Sequence, residues 1–188
     1  MPRQLRSIRR SLPTDARRTL AAAFIASRVD YCNGVLYGVS SQVIRRLQMD
    51  LNAAARLVVG VGRYEHITPA LRDVLHWLPV PQRIQFKIAI SAFDCVREHC
   101  PAYFNNVCIP VADISGRANL RSAERHDMLV PSTRTQLGRR NFNVAAPTVW
   151  NALPSQLRSS SISRGKFRAG LKTYLLTQAY TDTFENFC

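Results

Sequence analysis

No stretch of this 188-residue chain stays apolar for long: the longest unbroken run, Leu20 to Ala26, has seven residues, where a membrane-spanning helix needs about 20. A transmembrane span is excluded. The same run makes a poor secretory signal, because Pro13 and Asp15 break its approach and no small-x-small cleavage site follows promptly. The five cysteines, Cys32, Cys95, Cys100, Cys108 and Cys188, follow no spacing that reads as a disulfide framework. Carboxylates are scarce as well, with 12 acidic residues against 26 basic ones. No two Asp stand side by side anywhere, so the paired carboxylates that polymerases commonly use to share two Mg²⁺ ions are missing. Also absent are a Gly-rich phosphate loop with its Lys, a Gly-x-Ser-x-Gly elbow and a His-Glu-x-x-His pair. The chain is therefore expected to carry no catalytic residue, to bind no cofactor and to be no enzyme on its own.

What is present is arginine. Only Lys87, Lys166 and Lys172 are lysines, which leaves 23 guanidinium groups in a net charge of +14. Guanidinium forks onto phosphates and stacks on bases. The 46% of hydrophobic residues argues against a disordered polycation, and a chain of this length buries roughly 70% of its unfolded surface. The charge is uneven. Residues 1–28 carry a net +6, residues 29–114 only +1, residues 115–172 +9 and residues 173–188 −2. From Met128 to Thr181 no acid occurs in 54 residues, whereas soluble surfaces normally intersperse the two signs.

The apolar pattern predicts a mainly α fold, a helical bundle, with a short β-hairpin as an option in the last third. Pro13-Thr14-Asp15 reads as a helix start, followed by the stripes Leu20, Phe24, Tyr31, Val35 and Ile25, Val29, Cys32, Leu36. Two apolar faces predict a helix between neighbours, with Arg28 requiring a partner. A second helix runs from about Ser41 to Val59, with Val43, Leu47, Leu51, Ala54 and Val58 as its buried stripe and Arg45, Asn52 and Arg56 on the opposite face. Residues 82–96 read as a central buried helix, polar only along Arg83, Lys87, Ser91 and Asp94. Residues 127–130 and 138–144 have the pattern of two short strands around a 132–137 turn. Pro147 is expected to begin a short helix, and Phe167, Leu171, Tyr174 and Leu175 mark a last helix ending near Tyr180. The expected organisation is a helical subdomain over 1–108, a basic segment with the hairpin and last helix over 109–180, and a frayed tail over 181–188.

Candidate functional groups are few. Cys95, His99, Cys100 and Cys108 cluster in sequence but lack the paired couples of a zinc site, so no metal is expected there. His66 and His76 flank a short helix as caps or packing groups, and Trp77 and Trp150 read as core anchors. The basic stretch containing Arg134, Arg139, Arg140, Arg158, Arg164, Lys166, Arg168 and Lys172, interleaved with Phe142 and Phe167, reads as a nucleic-acid surface. Arg45 and Arg56 join it as phosphate contacts. The expected interface is Arg45, Arg56, Arg139, Arg140, Arg164, Lys166, Arg168 and Lys172.

Several ordered blocks then resemble one family. They are Leu5-Arg-Ser-Ile-Arg-Arg-Ser-Leu12, Ser27-Arg-Val-Asp-Tyr-Cys-Asn-Gly-Val-Leu-Tyr-Gly38, Asn52-Ala-Ala-Ala-Arg-Leu-Val58, His66-Ile-Thr-Pro69, His76-Trp-Leu-Pro-Val80 with Gln82-Arg-Ile84 and Phe86-Lys-Ile88, and Asn143-Val-Ala-Ala-Pro147 with Val149-Trp-Asn-Ala-Leu-Pro154. Over residues 4–180 the chain resembles the C-terminal region of non-LTR (LINE-type, jockey-like) retrotransposon reverse transcriptases. The resemblance implies a piece of an RNA-directed DNA polymerase downstream of its palm, with the Asp-Asp box and an endonuclease further upstream in a longer transposable-element protein. Met1 would then be an internal methionine or the start of a truncated reading frame. Implied partners are RNA or DNA and those missing polymerase and endonuclease parts, in the cytoplasm or nucleus, with no membrane. No family active-site residue maps onto this chain. Two rival readings stay open, a packing region that binds no nucleic acid and a stand-alone domesticated RNA-binding protein. The Arg-rich start also has the composition of a mitochondrial presequence.

Overall fold

The computed structural model describes residues 11–104, 107–116 and 119–185. The protein is mainly α-helical. The described helices are α1 (Thr14–Ala21), which continues through a π stretch (Ala22–Ala26) into α2 (Ser27–Asp30), then α3 (Ser41–Val59), α4 (Val80–Val96), α5 (Arg121–Glu124), α6 (Gln136–Arg139), α7 (Phe142–Asn151), α8 (Ser155–Arg158) and α9 (Arg164–Glu185). No described helix is long and apolar enough to cross a membrane. The chain divides into two compact units, one of residues 1–33, 39–83 and 175–188, the other of residues 34–38 and 84–174. The helices α4 and α9 each contain a unit boundary.

In the first unit small side chains let helices approach closely. Ala21, Ala54 and Val58 form one buried cluster with Ile25, Leu75 and Trp77 around it. Ala55, Ile67, Leu71 and Tyr180 form another, covered by Leu176 and Ala179. Ser40 precedes α3 in an extended conformation, and Gly60 stops it at φ +83°, its N–H donating to the Arg56 carbonyl at 2.9 Å. That left-handed cap strains any residue with a Cβ. The Gln48 side chain of α3 donates to Asn52 at 2.8 Å and accepts the Val80 N–H at 2.8 Å, satisfying a free amide at the start of α4. Arg83 donates to both oxygens of Asp30 at 2.9 and 2.8 Å and lies over the Trp77 ring. The Tyr180 hydroxyl donates to the Trp77 carbonyl at 3.0 Å.

The expected double-faced first helix is corrected. Val29 is buried, but Phe24, Tyr31 and Val35 are exposed, and so is Val43 of α3. After Asp30 the chain turns at Cys32, φ +50°, into a short 3₁₀ turn (Asn33–Leu36), so the helical stripe stops before its last members. Arg28 is exposed and Asp30 takes Arg83 as its partner.

The second unit is built on aromatic packing. Phe93 of α4 stacks on Phe167 of α9 with centroids 4.4 Å apart, and Trp150 of α7 lies 6.5 and 6.0 Å from the two rings. The Trp150 indole donates to the His126 carbonyl at 2.9 Å. The Arg97 guanidinium covers the Phe93 ring and donates to the Ser159 carbonyl at 2.9 Å.

The optional hairpin does not form. Its first half is extended but pairs elsewhere: Val111 donates to Asp127 and Leu129 to Ile109, each at 2.9 Å, around one antiparallel bridge between Pro110 and Met128. The Asn151 side chain brackets the other edge, accepting from the Met128 N–H at 2.8 Å and donating to its carbonyl at 2.9 Å. The second half becomes helix because Thr135 and Asn141 cap α6 and α7 with side-chain oxygens on Gly138 N and Asn143 N. Pro147, expected to open a helix, lies inside α7. The last helix continues past Tyr180 to Glu185, while residues 186–188 of the expected frayed tail, and most of the Leu5–Leu12 block, fall outside the described residues.

Two outcomes follow from this packing. Phe167→Ala should lower the unfolding free energy by about 3 to 5 kcal/mol in urea titration, since Phe167 is fully buried. Burial pushes the Tyr180 phenol from 10.0 up to about 12. The unfolded chain releases that proton first, so this group's contribution to stability is intact below pH 10 and declines toward pH 12. Tyr180→Phe should remove that component of alkaline destabilisation in thermal melts.

Candidate nucleic-acid interface

The acid-free stretch obtains its carboxylates from outside. Asp127 binds Arg158 in a buried ion pair and also Arg125 at 3.0 Å. Arg158 is 7% exposed, which removes it from the expected basic surface. Asp94 near the end of α4 accepts a bidentate fork from Arg164, at 2.7 and 2.9 Å. The same pair raises the Arg164 pKa through its hydrogen bond to Asp94 and the attraction of that carboxylate.

The remaining expected contacts differ in how free they are. On α9, Phe167, Leu171 and Leu175 form the buried stripe at spacings of four. Lys166, Arg168 and Lys172 fall outside that stripe, are exposed, and have no side-chain partner among the described residues. The first turn of α9 contains no acid but holds Arg164 and Lys166. Cations there oppose the helix dipole, whereas an anion would be favoured by dipole and side chains together.

Arg139 and Arg140 line a cleft of about 550 Å³ with Tyr37, Gly38, Pro131 and Gln136. Arg140 is tethered there, donating to the Tyr37 carbonyl at 3.1 Å and the Val35 carbonyl at 3.2 Å. Gly38, at φ +70°, leaves room for it: a Cβ at that position would meet the Arg140 side chain at 3.0 Å. Arg139 is exposed and unpartnered among the described residues, as is Arg134. Six of the eight expected contacts thus belong to the 34–38/84–174 unit. Arg45 and Arg56 belong to the other unit. Arg45 is exposed, while Arg56 is half-buried and donates to the Glu65 carbonyl at 3.2 Å.

The aromatics expected to interleave with these cations are engaged elsewhere. Phe167 is fully buried, and Phe142 packs edge-on against Phe104 with centroids 5.4 Å apart. Phe167 therefore offers no ring face for base stacking. Among the described residues no group of three His, Cys, Asp or Glu side chains is arranged to hold a metal ion. His66, His76 and His99 are exposed. Sequence order gave no signal for Asp94–Arg164 or Asp127–Arg158, because these partners lie 70 and 31 residues apart.

Asp127→Asn should cost roughly 3 to 5 kcal/mol of stability by leaving the Arg158 charge buried without its counter-ion. The double variant Asp127→Leu/Arg158→Met should recover most of that loss in denaturant titration, because it removes both charges.

Comparison with protein-family models, curated proteins and solved structures yields no match to this chain.

Proposed function

We propose that this protein is a non-catalytic, RNA- or DNA-binding region of a non-LTR retrotransposon RNA-directed DNA polymerase, holding template or primer–template through phosphate contacts. The resemblance of its ordered sequence blocks supports the family. The observation that carries the binding role is the group Arg134, Arg139, Lys166, Arg168 and Lys172, exposed and without partners among the described residues in a unit with thirteen bases and five acids. Arg45 adds a cation on the other unit. Arg56, Arg140 and Arg164 act chiefly by holding local structure, since each is tied to a carbonyl or carboxylate. Phosphate contacts position a nucleic acid without reading its sequence. Chemistry would reside in another part of the element protein.

A second reading is favoured by a different observation. Phe24, Tyr31, Met49 and Tyr64 of the first unit are 43, 81, 69 and 94% exposed, large apolar and aromatic groups that another protein segment could cover. Both roles are compatible with a piece of a larger polymerase. If packing is the whole role, co-expression with the polymerase part restores solubility and the complex shows no affinity for RNA.

RNA-hairpin binding by the purified chain should weaken steeply with salt. Lys166→Ala/Arg168→Ala/Lys172→Ala should reduce the log–log salt slope by about 3 if each residue neutralises one phosphate. A wild-type affinity insensitive to salt would overturn the binding role, and Mg²⁺-dependent primer extension by this chain would overturn the non-catalytic one.

A further inference from the structure

Two thiols meet at the C-terminal turn of α4. The helix ends in a turn whose His99 N–H reaches back to the Asp94 carbonyl at 2.9 Å and whose Glu98 N–H reaches Cys95 at 3.2 Å. Glu98 takes the left-handed conformation at φ +56° that this double closure requires. The reversal brings Cys100 back over the last turn. Its Sγ stands 2.9 Å from Cys95 Sγ and 3.8 Å from the Ser91 carbonyl. Cys108, on the following segment, is buried and adds to the upward shift of the Cys95 pKa.

We propose that Cys95 and Cys100 are a modification site, a dithiol that closes to an intramolecular disulfide in reaction with a low-molecular-weight disulfide, while Cys108 stays reduced. A disulfide bond is about 2.0 Å long, so closure from 2.9 Å asks for small movements of two side chains. Cys100, on the segment beyond the helix, attacks the reagent first. One S–S bond of the reagent breaks, a mixed disulfide forms, and one reagent thiol leaves with the proton. Cys95 then attacks Cys100 Sγ, forming the internal bond and releasing the second reagent thiol with the second proton. The protein loses two hydrogens and two electrons, and the oxidant is reduced to two thiols.

Burial raises the Cys95 pKa far above the ordinary thiol value and pushes that of Cys108 up to about 11. Both therefore resist direct attack on the reagent at neutral pH, because the thiolate is the nucleophile. Closure by Cys95 depends instead on its being held against the sulfur it attacks. Cys32 is exposed and has no thiol partner among the described residues, so the site is distinguished by proximity rather than by accessibility.

The test is incubation of the full chain with oxidised glutathione, followed by intact mass and peptide mapping. The expected product has lost two hydrogens through a Cys95–Cys100 cross-link, with Cys108→Ser behaving identically. Cys95→Ser should instead retain glutathione on Cys100. Native closure should outrun closure in denaturant by roughly tenfold or more, as preorganisation requires. Because the comparison uses wild-type protein, it stands whether or not the variants fold. Glutathione adducts without an internal link, a link to Cys108 in place of Cys100, or equal rates in the folded and denatured chains would each overturn the proposal.

Discussion

Fifty-four consecutive residues without a carboxylate must draw their ionic contacts from outside that stretch, and two aspartates supply them. Asp127 enters just before that stretch and anchors Arg158 in the interior, while Asp94 on α4 holds Arg164 at the start of α9. The two pairs differ in kind. Arg158 and Asp127 are nearly inaccessible, so each requires the other. Arg164 remains 57% exposed along its side chain, so its pairing orients the helix start more than it stabilises the fold. Once these pairs are made, the surplus charge is concentrated on the cations that have no partner.

Those cations surround a conventional core. Phe93, Trp150 and Phe167 fix α4, α7 and α9 to one another, and the buried stripe of α9 determines that Lys166, Arg168 and Lys172 lie outside it. A helix whose inner face is aromatic and aliphatic and whose opening turn is cationic is suited to hold phosphates, because its dipole and side chains attract the same ligand.

Much of the helical content was legible from periodicity. The Ser41–Val59 helix, the buried character of the helix through Phe93 and the stripe Phe167, Leu171, Leu175 all follow from spacing. Three features were not legible, for separate physical reasons. The apolar residues Phe24, Tyr31 and Val35 kept a helical rhythm that the chain abandons at Cys32. The strand-like residues 138–144 lost to local capping by Thr135 and Asn141, whose side chains satisfy the amides a strand would have paired. Within the candidate site, exposure depended on contacts between residues far apart in sequence, so Arg158 and Lys166 looked alike until Asp127 claimed one of them.

The scarcity of lysine makes phosphate binding by Lys166 and Lys172 of α9 directly measurable. Lys87, Lys166 and Lys172 are the chain's three lysines. Amine acylation followed by mass spectrometry, with and without an RNA hairpin at low salt, reads their accessibility one by one. RNA should protect Lys166 and Lys172 strongly and Lys87 little; equal acylation of all three lysines in the bound and free protein would contradict the account.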